Sequence, residues 1–270
     1  MMHAMNETDT FLETGGARIR YRVEGAGPAV VFIHAGVADL TMWDAEAVAL
    51  RDRYRVIRYD TRGYGLTRTE AVPFSNRADI AALLDHLGEE RAHIVGLSRG
   101  GVIALDFTLE HPERVRTLTV VAGGVSGYDS PLEDAAMWDE VDALYQARDW
   151  DRIADWEAAY WADGPGQPPD RVPAIHARVH AWVLDNLRAE LVEGRPQPLD
   201  PPAEARLHEL KVPLLVILGT LDDPATSDSM HHLAASVAGS RMVELEAAHM
   251  INLEHPARFQ ALLLEHLATG

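Results

Sequence analysis

Ala92-His93-Ile94-Val95-Gly96-Leu97-Ser98-Arg99-Gly100-Gly101 is the stretch whose reading decides the fold. The short strand-like run His93-Ile94-Val95 feeds directly into Gly96-Leu97-Ser98-Arg99-Gly100. Beyond it, apolar residues at 102, 103, 105, 107 and 109 predict a helix. A serine between two glycines at a strand-to-helix junction is the geometry a nucleophilic hydroxyl needs. So sharp a turn forces Ser98 into a strained backbone conformation, and side chains two residues before and two after it would collide. Glycine at 96 and 100 removes those collisions. The helix that follows aims its first N–H groups at the reacting centre, where negative charge would develop.

The alternation extends in both directions from this turn. Residues 18–23 alternate charged and bulky side chains and predict an edge strand; Ala-Val-Val-Phe-Ile-His at 29–34 is a continuous apolar run, as expected of a strand covered on both faces. A further strand is predicted at 54–59, ending at Asp60 and the turn Arg62-Gly63-Tyr64-Gly65. Helical spacing follows at 75–87, and a strand at 118–122. Then the pattern breaks. From Gly123 to about His208 there is no strand-like run, and this stretch holds every tryptophan except Trp43. It is punctuated by Gly164-Pro165-Gly166-Gln167-Pro168-Pro169 and by a proline-rich segment at 196–202. The expectation is a helical cap (lid) over residues 125–209, inserted into a core made of 1–124 and 210–270. Strands at 213–218 and 241–245 and helices at 227–237 and 256–267 resume the alternation. Strands alternating with helices imply a mostly parallel sheet covered on both faces, with ligands bound outside the carboxyl ends of the strands.

Composition narrows the function. With 42 acidic against 24 basic residues, the net charge of −18 repels phosphate backbones, so no nucleic-acid partner is expected. The absence of cysteine excludes disulfides, thiolate metal sites and a cysteine nucleophile. The polar start, Met1 to Thr10, shows no signal peptide, and no apolar run is long enough to span a membrane, so a cytoplasmic protein is expected. Nothing in the sequence sets an oligomeric state.

A serine nucleophile needs a base, and the base needs an orienting partner. Of 13 histidines, His86, His111, His255 and His266 fall on amphipathic helices or at their ends. His249 instead follows the last predicted strand, in Glu246-Ala247-Ala248-His249-Met250. Asp222 follows the strand before it, in Gly219-Thr220-Leu221-Asp222. Chain order is therefore serine, acid, histidine. Asp223, before Pro224, reads as a turn residue. His176 and His180 stand four apart, as zinc ligands can, but without the intervening glutamate of a metalloprotease; a structural pair is expected, and no metal.

Taken together, these motifs resemble the α/β-hydrolase superfamily in its compact, bacterial esterase-like branch. The resemblance runs from about Ile19 to the C-terminus. It rests on His34-Ala35-Gly36, Tyr59-Asp60-Thr61-Arg62-Gly63-Tyr64-Gly65, the Ser98 turn, His111-Pro112-Glu113-Arg114-Val115, the Asp222 and His249 loops, and Glu254-His255-Pro256. It implies an α/β-hydrolase fold, a mostly parallel eight-stranded sheet flanked by helices, with a helical cap insertion. It also implies Ser98 as nucleophile, His249 as general base and then acid, and Asp222 as the carboxylate orienting His249. The oxyanion hole would use the backbone N–H groups of Arg99 and Gly36, with Val37 as the alternative to Gly36. His34 would brace that loop. The family usually has glycine where this chain has Ala35, and the loop from Val37 to Trp43 is long.

The implied reaction is acyl transfer from a small ester or lactone to water, with no cofactor. The aromatic insertion predicts an apolar pocket, with Trp138 and Trp161 among its lining. Arg99 is expected to pair with an acidic surface group, the alternative being a substrate carboxylate. Carbon–carbon hydrolysis, perhydrolysis and a non-catalytic ligand receptor on the same fold are the competing readings.

Overall fold

The computed structural model describes residues 9–169, 171–189, 191, 192 and 194–270. Apart from Asp9 and Thr10, the reading of the first ten residues lies outside these. Eight strands form the main path of one sheet: β1 (Thr10–Thr14), β2 (Ala17–Glu24), β3 (Ala29–Ile33), β4 (Arg55–Tyr59), β5 (Ala92–Leu97), β6 (Val115–Val121), β7 (Leu214–Gly219) and β8 (Arg241–Leu245). Their spatial order is β1-β2-β4-β3-β5-β6-β7-β8, and the two-residue strand Arg68–Thr69 adds to β2. Only the β1–β2 and β2–β4 pairings of the main path are antiparallel; every pairing from β4 to β8 is parallel. The strand at 18–23 is therefore internal, which corrects the expected edge. The edge is β1, joined to β2 through Gly15-Gly16, and its short polar sequence carries too little periodicity to be seen.

Burial follows from the period of two along each strand. In β3, Val31 and Ile33 face one layer while Val30 and Phe32 face the other, and Val216/Leu218 and Leu215/Ile217 repeat this in β7. Both faces are apolar, so helices must cover both. The first face is covered by α2 (Asn76–Leu87), α3 (Arg99–Glu110) and α7 (Pro224–Ser236), through side chains such as Leu83, Ile103 and Leu233. The second is covered by α1 (Asp44–Leu50) and α8 (Pro256–Leu267), through Leu50, Phe259 and Leu263. Each such side chain fully removed from water contributes roughly 1.5–3 kcal/mol. Local signals set the ends of α2. The Ser75 hydroxyl accepts the Ala78 N–H at its start, and Gly88 closes it in the left-handed conformation.

Between β6 and β7, among the described residues, no strand joins the main sheet. The longest elements there are three helices: α4 (Ala135–Ala147), α5 (Trp150–Ala158) and α6 (Pro173–Arg188). One exception to the all-helical expectation is the two-residue strand Arg195–Pro196, which pairs with Pro73–Phe74. This insertion is fastened to the core by polar bonds from α6. The Asn186 side chain accepts the Gly65 N–H at 2.9 Å and donates to the Ala38 carbonyl at 3.2 Å. The Trp182 indole donates to the Thr41 hydroxyl at 3.0 Å. No helix is long and apolar enough to cross a membrane among the described residues.

Candidate active site

Ser98 occupies the step from β5 into α3 with φ 56° and ψ −123°, a conformation that costs a non-glycine residue about 1–3 kcal/mol. The surroundings hold it there. A Cβ at Gly96 would lie 2.0 Å from the Gly100 carbonyl oxygen, and one at Gly100 would lie 2.3 Å from the Ile33 carbonyl oxygen. Both glycines are thus required by contact between backbones. The Ser98 N–H donates to the Val121 carbonyl at 2.8 Å, tying the turn to β6. Its hydroxyl makes no capping bond to α3, so the simple helix-cap reading of this serine does not apply. At the start of α3 the Ser98 carbonyl accepts the Gly101 and Val102 N–H groups at 2.7 and 3.2 Å, while the Arg99 N–H, one residue past the turn, has no acceptor among the described residues.

His249 lies in the loop after β8 and is buried, with Nδ1 2.9 and 3.0 Å from the two carboxylate oxygens of Asp222, in the loop after β7. Nδ1–H is therefore the donor, which leaves Nε2 as the basic nitrogen. Asp222 Oδ1 also accepts the Asp223 N–H at 2.7 Å. Asp223 turns away: its Oδ2 caps α7 at Thr226 and its Oδ1 accepts the Tyr160 hydroxyl at 2.6 Å. The loop under His249 is pinned by Glu254, which accepts the Ala248 N–H at 2.7 Å and pairs with Arg171 at 2.6 Å. Among the described residues no hydrogen bond joins the Ser98 hydroxyl to His249. Such bonds commonly tighten only when substrate binds.

The loop after β3 lies beside the Ser98 turn, next to Arg99 and Tyr64. The Ala35 N–H is taken by the Met42 sulfur at 3.2 Å, so Ala35 offers no donor there. Gly36 and Val37 line a cavity of about 440 Å³ together with Tyr64, Tyr145, Glu157 and Asn186. His34 braces the loop. Its Nδ1 donates to the Ala35 carbonyl at 2.7 Å and its Nε2 accepts the Thr61 N–H at 3.0 Å; burial lowers its pKa to about 4 and keeps it neutral. Asp60 accepts the Leu40 and Leu66 N–H groups, both at 2.8 Å, and so joins the two loops flanking this cavity.

Arg99 has no carboxylate partner among the described residues, contrary to the expected acidic surface pair. It donates to the Thr61 hydroxyl at 2.7 Å and lies over the Tyr64 ring at 4.7 Å. Its stem lies close against Gly36. Trp138 and Trp161 line a second cavity of about 220 Å³ with Gly123 and Asp223, and not the larger one. Trp161 packs on His249, with ring centroids 4.4 Å apart. His176 pairs with Asp163 and His180 with Asp155, each on its own carboxylate. No cluster of three or more His, Cys, Asp or Glu able to hold a metal exists among the described residues.

Sequence reasoning missed Tyr64, Tyr145, Asn186 and above all Glu157. A signal for Glu157 did exist. It shares the buried face of α5 with Ile153, Ala154 and Ala158, and a carboxylate on an apolar helical stripe needs a reason.

A strained serine at a helix N-terminus and a carboxylate-bound histidine thus both stand at the carboxyl ends of the parallel sheet. The sequence profile of the family described as alpha/beta hydrolase fold matches residues 28–162, and the chain belongs to that family. It is 29% identical over 239 residues to 3-oxoadipate enol-lactonase 2 of Acinetobacter baylyi, covering 86% of this chain and 85% of that protein. It is 30% identical over 273 residues to a 2-hydroxy-6-oxononadienedioate/2-hydroxy-6-oxononatrienedioate hydrolase of Burkholderia vietnamiensis, covering 93% and 91%. Among solved structures, a hydrolase from Pseudomonas aeruginosa superposes with a TM-score of 0.79 at 31% identity, covering 97% of this chain and 99% of the other. The chain is an α/β-hydrolase enzyme.

Proposed function

We propose that this enzyme hydrolyses a small carboxylic ester or lactone through an acyl-enzyme on Ser98. The observation that carries the reading is the Asp222–His249 pair. It fixes the tautomer and orientation of a buried imidazole that stands, like the strained Ser98, beyond the carboxyl end of a parallel strand. His249 Nε2 takes the Ser98 proton as the hydroxyl oxygen bonds to the substrate carbonyl carbon. The resulting oxyanion is held by the backbone N–H groups of Arg99 and Gly36 or Val37, each worth on the order of 3–4 kcal/mol in comparable sites. The tetrahedral centre collapses, the carbon–oxygen bond breaks, and the alkoxide leaves with the proton from His249. Water then gives a proton to His249 and its oxygen attacks the acyl-enzyme. The acid departs as Ser98 recovers its proton. Residues 125–209 act as the cap over this chemistry, and the core comprises 1–124 and 210–270.

A lactone that itself bears a carboxylate is the second reading, favoured by Arg99. Its guanidinium is held by Thr61 and Tyr64, with no carboxylate partner among the described residues, and its stem lies against Gly36. The likeness to an enol-lactonase supports it. Covalent labelling by a fluorophosphonate tests the nucleophile: wild type is expected to label and Ser98→Ala not. Equal labelling of the two sinks the mechanism. A panel of p-nitrophenyl esters set against lactones with and without a carboxylate separates the two substrate classes.

A further inference from the structure

One hydrogen bond links the linings of two cavities. Glu157 lines the larger, Trp161 lines the smaller, and Trp161 gives its indole N–H to Glu157 Oε2 while its ring packs on His249. The Tyr145 hydroxyl donates to the other oxygen, Oε1, at 3.0 Å. A buried carboxylate is tolerated only when its oxygens are bonded, and here a phenol and an indole bond both. An apolar residue at 157 would pack beside Ile153 and Ala154 without that desolvation. The carboxylate is there for what it holds.

We propose that Glu157 is a positioning residue of the reaction: it holds Trp161 on His249 as the wall between the two cavities and lends its negative charge to the imidazolium. The inference rests on the ester or lactone hydrolase reading and deepens it, assigning the two sides of the substrate to two separate cavities. Burial raises the pKa of Glu157, while the Tyr145 and Trp161 donors and the nearby His249 charge oppose the shift. The imidazole meets Asp222 at Nδ1; Tyr160 holds the neighbouring Asp223; the Glu254–Arg171 pair supports the loop beneath. On the Glu157 side stand Tyr145, held protonated by burial and then by Glu157 itself, and Arg148, with Asp142 and Tyr64 further out. Between the wild type and Glu157→Gln only the charge at 157 differs.

Two substitutions separate the two roles. Glu157→Gln keeps both bonds, its carbonyl accepting from Trp161 and its amide donating to the Tyr145 oxygen, and removes the charge. Glu157→Leu removes the bonds as well. Rates of p-nitrophenyl acetate and octanoate hydrolysis are measured from pH 5 to pH 9. Glu157→Gln is expected to keep the wild-type octanoate-to-acetate ratio and to move the acidic limb of kcat/KM about half a unit to lower pH, because the imidazolium loses a stabilising charge. Glu157→Leu is expected to raise that ratio about three- to ten-fold, through a lower KM for octanoate, as the wall is released. An unmoved limb in the first variant, or an unmoved ratio in a folded second variant, overturns the proposal. If Leu prevents folding, Trp161→Ala replaces it with the same expectation and the same refutation. If the wild type shows no Ser98-dependent turnover, the hydrolase reading fails instead. The charge role is then read from the NMR titration midpoint of the His249 ring, where coincidence of wild type and Glu157→Gln overturns it.

Discussion

The core and the insertion place functional groups by different means. In the core, Ser98, His249 and Asp222 stand on loops whose positions follow from backbone geometry: strand ends, a helix start, and glycines at the points where main chains touch. In the insertion, Glu157, Trp161 and Tyr145 are placed by one another, through side-chain bonds and ring contacts between α4, α5 and the turn after α5. On the proposed reaction, the backbone-placed groups would carry the chemistry, and the groups placed by side chains would shape what reaches it.

That contrast is broken first at Ser98. Ser98→Ala is expected to lower kcat by about 10⁴-fold or more while leaving the thermal midpoint close to wild type. Steady-state kinetics with calorimetry checks both halves, and retained turnover would remove Ser98 from the chemistry. Asp222→Asn should follow with about a 10²–10⁴-fold loss, since the amide can present the wrong hydrogen-bond partner to Nδ1. The adjacent Asp223→Asn is expected to cost less than ten-fold in rate and about 1 kcal/mol in stability, through the α7 cap. A reversed order would exchange the roles of the two carboxylates. Gly100→Ala puts a methyl 2.3 Å from the Ile33 carbonyl oxygen, and denaturant melts should show a loss of about 3 kcal/mol or more.

Much of the core was legible because its signals are local. Apolar runs marked β3, β5 and β7, the Gly-x-Ser-x-Gly spacing marked the turn, and the loops after β7 and β8 marked Asp222 and His249. The exceptions are instructive. β1 is short and polar, so its pairing with β2 is decided by the hairpin and not by periodicity. The insertion was legible as helical, yet not in its contacts. Trp138 and Trp161 were visible as aromatic residues, but nothing local says that they line the smaller cavity, or that the side chain bonded to Trp161 is a glutamate four residues before it. Arg99 misled for the same reason: its partners, Thr61 and Tyr64, come from a loop nearly forty positions away.

The core is not free of side-chain logic, and Glu46 sharpens the comparison. It is fully buried in α1 beside Asn252 and Gln260. Burial raises its pKa from 4.5 to about 7, and the Gln260 and Asn252 side chains oppose that rise only in part. Folding therefore favours the protonated form: its contribution is fully present below about pH 4.5 and is lost as pH rises through 7, by up to about 3 kcal/mol. Glu46→Gln should flatten that part of the stability–pH curve and be the more stable protein at pH 8. Parallel curves for the two proteins would place the proton elsewhere. The smallest effect is expected at the seam between core and insertion. Asn186→Ala loses the bonds to Gly65 and Ala38. It should raise KM about two- to five-fold with kcat within two-fold, because it alters binding and not the reacting groups.

The short pairing of Pro73–Phe74 with Arg195–Pro196 ties the insertion back to the core. Chain leaves the sheet at Val121 and is caught again beside Phe74, before it re-enters at Leu214. Arg77 reinforces the catch by donating to the carbonyls of Gln197 and Pro198 at 3.1 and 3.3 Å. Departure and return are thus moored to the same rigid body, independently of what lies between. A chimera carrying a foreign segment between these moorings should keep wild-type fluorophosphonate labelling of Ser98 while its preferred ester changes.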